Sequence, residues 1–187
     1  MNINNSYISL DWNKLSDTPV GNDDEIAGFF FSAIDEELPW LIPVPFGNEI
    51  DHYYFQSWNG LMEFNDWFRD QRREMNKEVI DPLAALFMDF GLLHEDTTFT
   101  PNPIKKGITF TSGWLIGAIP PPEVKALLAR AESLDLDSIQ SEFHLAIQRM
   151  PCDMVPNKEM IQHWILSLIT GLRSTISADR GIIIGAA

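Results

Sequence analysis

Apolar residues recur along this chain at two spacings, and the spacings predict its elements. Ile26, Phe29, Phe30, Ala33 and Ile34 form one stripe behind Asn22 and the acids Asp23, Asp24 and Glu25. That is the pattern of a capped amphipathic helix whose negative first turn faces the positive end of its dipole. From Ser57 towards Met75, Trp58, Leu61, Phe64 and Phe68 share a side, while Glu63, Asp66 and Asp70 lie largely opposite and the end is basic at Arg72 and Arg73. Asp81-Pro82 reads as a cap and first-turn proline, followed by Leu83, Leu86, Phe87 and Phe90, with Gly91 as terminator. Pro122 opens a helix that turns Val124, Leu127, Leu128 and Ala131 inward. Asp135 or Asp137 caps the next, which carries Leu136, Ile139, Phe143, Ile147 and Met150, and the two are expected back to back. Asn157 caps the longest helix, with Met160, Ile161, Trp164, Ile165, Leu168, Ile169 and Leu172 in register.

Strand signals are fewer. Ser6 to Leu10 alternates as a short opening strand, Gly107 to Ile119 is β-branched and aromatic enough for one strand or a bent pair, and Gly181-Ile-Ile-Ile-Gly185 reads as a buried strand. Glu37 to Gly47 holds three prolines, which remove donors and restrict their predecessors, so an extended aromatic-bearing loop is expected there. Thr97 to Lys106 reads as a loop too short to link domains. No internal repeat interrupts the pattern. The expectation is one α+β domain over residues 1–187, a small and mostly antiparallel sheet packed against several amphipathic helices.

Composition supports a packed domain, because 187 residues with 45% hydrophobic side chains can fill one core. The longest apolar stretches, Gly28 to Phe31 and Trp114 to Pro122, fall far short of the roughly 18 residues a membrane span needs. The first residues show neither a basic n-region nor an apolar h-region, which makes the cytoplasm the expected location. Cys152 is the single cysteine, so an internal disulfide and a cysteine-built zinc site are both excluded.

Charge changes the picture more. The net charge is −14, and residues 1–70 hold 13 acids against two bases, Lys14 and Arg69, or −11 of it. A field of that sign repels phosphate backbones and anionic lipid, which disfavours direct nucleic-acid or membrane binding. It raises the encounter rate with a basic protein.

The commonest phosphate, metal and nucleophile signatures (GxGxxG, GxxxxGK[ST], HExxH, GxSxG, cysteine pairs) are absent, which weakens an enzyme reading without ending it. His52, His94, His144 and His163 are scattered, with no helical i+4 partner that would mark a metal face, and His144 reads as structural. Cys152, with Arg149 and Lys158 nearby, has the profile of an inert lone thiol. The run Asp35-Glu36-Glu37 lacks the alternating acids and glycine of a calcium loop. No cofactor, metal or catalytic residue is therefore expected.

The informative constellation interleaves acids with large aromatics: Asp35, Glu36, Glu37 and Trp40, then Phe46, Glu49, Asp51, Tyr53, Tyr54 and Trp58. Aromatic anchors inside a charged rim suit protein recognition. Trp40 and Phe46 also suit a second role, stapling the proline-rich loop onto the core.

The second half carries a resemblance. Pro122-Glu123-Val124 opens a helix, Ala131-Glu132-Ser133-Leu134-Asp135 links it to the next, Ile139 is followed by Glu142-Phe143, and a long helix closes on Gly181-Ile-Ile-Ile-Gly185. This order of motifs resembles the YfbM-like family of small bacterial α+β domains over about residues 108–187, with Ser57-Trp58-Asn59 a counterpart of a tryptophan segment in the first half. The family's glycine-containing N-terminal strand has no match in MNINNSYISL, so residues 1–107 form a diverged acidic half. The resemblance implies the fold but carries over no catalytic residues, and such families include immunity proteins of bacterial toxin systems.

Two functions follow as expectations. The first is a cytoplasmic immunity or inhibitor protein that occludes a basic toxin domain, a nuclease effector, through Asp35, Glu36, Glu37, Trp40, Glu49, Asp51, Tyr53 and Tyr54. The alternative is a small-molecule-binding domain or enzyme with a pocket between the C-terminal helices and the sheet, drawing on His52, His163 or Trp164.

Overall fold

The computed structural model describes residues 5–15, 41–44, 58–89, 93, 115–151 and 160–186. The helix expected behind Asn22 and the 97–106 loop lie outside them. In chain order the described elements are β1 (Asn5–Leu10), α1 (Trp12–Leu15), β2 (Leu41–Pro43), α2 (Trp58–Arg72), α3 (Lys77–Asp89), β3 (Leu115–Ile119), α4 (Pro121–Glu132), α5 (Leu136–Arg149), α6 (Met160–Ser177) and β4 (Gly181–Ala186).

The strands form one antiparallel sheet in the order β2-β1-β4-β3. The first and last strands are central, with Tyr7 opposite Ile184 and Leu10 opposite Gly181. Tyr7, Ile8, Ser9 and Leu10 are all buried, and because successive side chains of a strand point to opposite faces, both faces of β1 are covered. Tyr7, Ile119 and Ile182 join the helical core on one face. β3 pairs with β4 through a shift of register between Leu115 and Gly117. Of the proline-rich stretch only residues 41–44 are described, and there Leu41–Pro43 is a paired strand rather than loop. β1 supplies the partner, and the Val44 N–H continues the pairing to the Tyr7 carbonyl at 2.9 Å.

The helical layer is built around aromatic rings. On α2, Phe64 stacks on Phe68 at 5.6 Å between centroids and meets Trp164 of α6 edge-on at 5.1 Å; Phe143 of α5 stacks on Phe68 at 5.5 Å. Rings offset or edge-on at such distances gain on the order of 1 kcal/mol beyond their buried area. The α6 stripe is buried as its spacing predicts, at Ile161, Trp164, Ile165, Leu168, Ile169 and Leu172. Helices and a small antiparallel sheet share one core, an α+β architecture.

Three boundaries differ from the pattern reading. Helix α3 starts at Lys77, not at Asp81-Pro82, because the Asn76 side chain accepts the Glu78 N–H at 3.1 Å and caps it there. The Asn76 N–H in turn donates to Glu142 of α5 at 3.0 Å, so Pro82 falls inside the helix and Asp81 turns to an arginine. Helix α4 begins at Pro121 with Pro120 as its cap. Helices α4 and α5 pack chiefly on α6 and α3 rather than back to back. Asp135, not Asp137, caps α5 by accepting the Ser138 N–H at 3.1 Å and its hydroxyl at 2.7 Å. Met150, assigned to the α5 core stripe, is exposed at the helix end, where its carbonyl accepts Trp67 Nε1–H at 2.8 Å.

The turn from α6 into β4 is a Schellman cap. The Arg180 N–H reaches the Thr175 carbonyl at 3.1 Å and the Asp179 N–H reaches Ile176 at 2.9 Å, with Asp179 in the left-handed region at φ 51°.

Candidate functional site

The residues assigned to partner binding, Asp35, Glu36, Glu37, Trp40, Glu49, Asp51, Tyr53 and Tyr54, lie outside the described residues, as do His52, His94 and Cys152. Within that stretch of sequence only β2 and Val44 are described: Leu41–Pro43 pair with β1, and Val44 is buried in the core. Of the residues named for a ligand pocket, Trp164 is built into the aromatic cluster and His163 is exposed on α6. Trp164 meets Phe64 edge-on, while His163, beside it in sequence, is exposed. His144 is also exposed and lies 2.9 Å from the Gln148 amide one turn on.

A different group does converge. The end of α2 carries Arg69, Arg72 and Arg73, and the chain reverses through two short bonds, Glu74 N–H to Gln71 at 3.0 Å and Met75 N–H to Arg72 at 3.3 Å. Buried Met75 pins the turn to the core. The reversal brings Lys77 and Asp81 of α3 beside the last turn of α2, and a cavity of about 450 Å³ opens between them, lined by Phe68, Arg69, Arg72, Arg73, Lys77, Asp81 and Leu93. Phe68 and Leu93, both buried, close its floor, and the Leu93 N–H is held to the Phe87 carbonyl at 3.2 Å.

Two of the four cations are already engaged. Arg72 donates Nε–H and Nη2–H to one oxygen of Asp81 at 3.1 and 2.8 Å, a pairing that ties α2 to α3. Arg69 reaches back one turn to Asp66 at 2.9 Å. Arg73 and Lys77 are exposed and make no hydrogen bond or ion pair to the described residues. The interspersed acids Asp70, Glu74 and Glu78 are exposed and stand outside the lining. Among the described residues the cavity thus presents guanidinium and ammonium donors, with Arg73 and Lys77 outside any ion pair, on a chain whose net charge is −14.

The sequence reading noted Arg72 and Arg73 only as a basic helix end. The available signal was density: four of the chain's 13 bases fall within residues 69–77. Among the described residues, no group of three or more His, Cys, Asp or Glu side chains is placed to hold a metal ion, and no helix is long and apolar enough to cross a membrane. No family model, curated protein or solved structure matches the chain, so the likeness to the YfbM-like family rests on the motifs of residues 108–187 alone.

Proposed function

We propose that this protein is a cytoplasmic inhibitor of the immunity type, which binds a basic toxin domain, a nuclease effector, and covers its substrate-binding surface with carboxylates that imitate phosphates. The observation that carries the reading is the concentration of 13 acids against two bases in residues 1–70, interleaved with Trp40, Tyr53 and Tyr54. Such a distribution accelerates encounter with a cationic surface, and large aromatics supply the contact area that holds the complex. The resemblance of the second half to the YfbM-like family points the same way, since uncharacterised bacterial families of that kind include immunity proteins.

The test is capture of partners from the native lysate by the tagged protein at low and high salt, repeated with Asp35, Glu36 and Glu37 changed to amides and Trp40 to Ala. A stoichiometric basic partner, released by salt and lost in the variant, is expected. Unchanged retention by the variant would remove residues 35–40 from the interface, and a bait that retains nothing would overturn the reading.

A second reading, a small-molecule-binding domain, is favoured by one observation, the cationic cavity between α2 and α3.

A further inference from the structure

We infer that the cavity between α2 and α3 is a binding site for a small organic phosphate, with Arg73 and Lys77 as the groups that neutralise it and Arg72 as the group that shapes it. This assignment is independent of the acidic segment and stands whether or not a protein partner exists.

Charge decides the ligand class. Among the described residues, four cations (Arg69, Arg72, Arg73 and Lys77) and one carboxylate, Asp81, line the cavity; Asp66 engages Arg69 from outside it, and Asp70, Glu74 and Glu78 are exposed outside the lining. Arg69 and Arg72 are ion-paired, and Arg73 and Lys77 are the lining cations outside an ion pair. A monocarboxylate would leave one of them uncompensated. A phosphomonoester carries about −1.5 to −2 at neutral pH and three acceptor oxygens, which matches both the charge and the surplus of donors. Arg72 is tied to Asp81 by two bonds to one carboxylate oxygen across the helix pair, which places its guanidinium at the wall and lowers the ordering cost of binding.

Size decides the rest. A space of about 450 Å³ lies in the range of small-ligand pockets, which run from roughly 300 to 1,000 Å³. It suits the phosphate together with a compact body laid along the side-chain stems above Phe68 and Leu93. A nucleic-acid strand presents a row of phosphates, and the −14 charge of the chain opposes its approach. The neutralisation of a basic helix end cannot account for the site by itself, since Lys77 opens α3, where a cation is unfavourable for the dipole. Among the described residues the Lys77 side chain makes no hydrogen bond or ion pair.

The probe is phenyl phosphate, titrated calorimetrically into the whole chain at fixed ionic strength, with benzoate and a phosphoserine peptide as comparisons. Saturable binding of phenyl phosphate is expected, with benzoate weaker by about tenfold or more. Arg73→Gln and Lys77→Gln should each weaken phenyl phosphate by roughly tenfold, whereas Lys125→Gln, an exposed cation on α4, should leave it unchanged. Both target residues are exposed, so circular dichroism should show the variants folded as the parent is. Absence of saturable binding, equal binding of benzoate, or equal weakening by Lys125→Gln would each overturn the assignment. A phosphoserine peptide binding tenfold tighter than phenyl phosphate would overturn the small-molecule class in favour of a protein ligand.

Discussion

The ring of Trp12 lies over Gly181 so closely that a Cβ on residue 181 would stand 2.3 Å from Trp12 Cε3 and 2.8 Å from the Ile119 carbonyl oxygen. Residue 181 opens the central strand β4, directly opposite Leu10, so α1, β3 and β4 meet at a point with no room for a side chain. Gly181→Ala should destabilise the protein by about 1–3 kcal/mol, the usual cost of overpacking. Urea denaturation of Gly181→Ala, Trp12→Ala and the double variant checks it. The double variant should be more stable than the sum of the singles predicts, yet short of full recovery, because the clash with the backbone oxygen persists.

Two residues earlier the demand is conformational. Asp179 holds φ at 51° in the Schellman turn, a position glycine fills without steric cost. Asp179→Gly should therefore gain about 0.5 kcal/mol, the relief of strain exceeding glycine's greater loss of freedom on folding, and Asp179→Val should lose about 1 kcal/mol or more. The midpoints of thermal unfolding of the two variants should move in opposite directions.

Asp135 gives the fold one acid-sensitive contact. The Ser138 hydroxyl, and then the Ser138 N–H, hold its carboxyl below the ordinary 3.8, against a small opposing effect of burial. A depressed carboxylate contributes stability that is complete above its unfolded value and is lost as pH falls through the folded one. Asp135→Asn keeps a cap acceptor and removes the titration, so its urea midpoint should fall less steeply than the parent's as pH is lowered from about 5 to about 3. Parallel curves would refute the assignment.

Trp67 joins α2 to the end of α5 by its bond to the Met150 carbonyl at 2.8 Å. Trp67→Phe preserves an aromatic ring and leaves that carbonyl without this donor, at an expected cost of about 1–2 kcal/mol. Gln71→Ala removes only the amide contact to the Met150 sulfur at 3.4 Å on the exposed side, and should stay within about 0.5 kcal/mol of the parent. The two urea midpoints, measured side by side, separate the bond from the neighbourhood.

What the sequence made legible was whatever burial writes at short range. The α6 stripe and the Phe64 and Phe68 face of α2 follow from periodicity, because side chains three or four apart share a helix face whatever packs on it; the α5 cap was narrowed by local chemistry to Asp135 or Asp137, and the final strand was marked by its isoleucine run. The start of α3 was obscured by a contact of long reach. Asp81-Pro82 has the chemistry of a helix start, but Asn76 prevails with the help of Glu142, 66 residues away, and no local rule contains that bond. The role of Gly181 was likewise invisible locally: the sequence placed it at the start of the final strand, but its closeness to Trp12, and the left-handed position of Asp179 before it, come from the packed fold. The cationic cavity was half legible. Its bases were visible as a cluster, but Arg73 and Lys77 become one site only when the chain reverses between α2 and α3, and the pinning of that turn by Met75 is a tertiary event. The acidic residues 35–37 and 49–54 were singled out by composition, and their assignment rests on charge.

The pairing of β1 with β4 sets the order in which a newly made chain can fold. β1 is synthesised first, yet its central partner follows by more than 170 residues, so the ribosome must finish β4 before the middle of the sheet can close. At about 5–20 residues per second this is a wait on the order of ten seconds or more, during which β1 has only the three-residue β2 for company. A ribbon of two short strands is marginal in water. Every helix of the aromatic cluster of α2, α5 and α6 precedes β4 in the chain, so β4 is the last described element to reach the apolar face that the helices share with the sheet. A chain stalled before residue 181 is left with that face and the unpaired side of β1 exposed together, which makes premature termination a route to aggregation and not merely to loss of a strand.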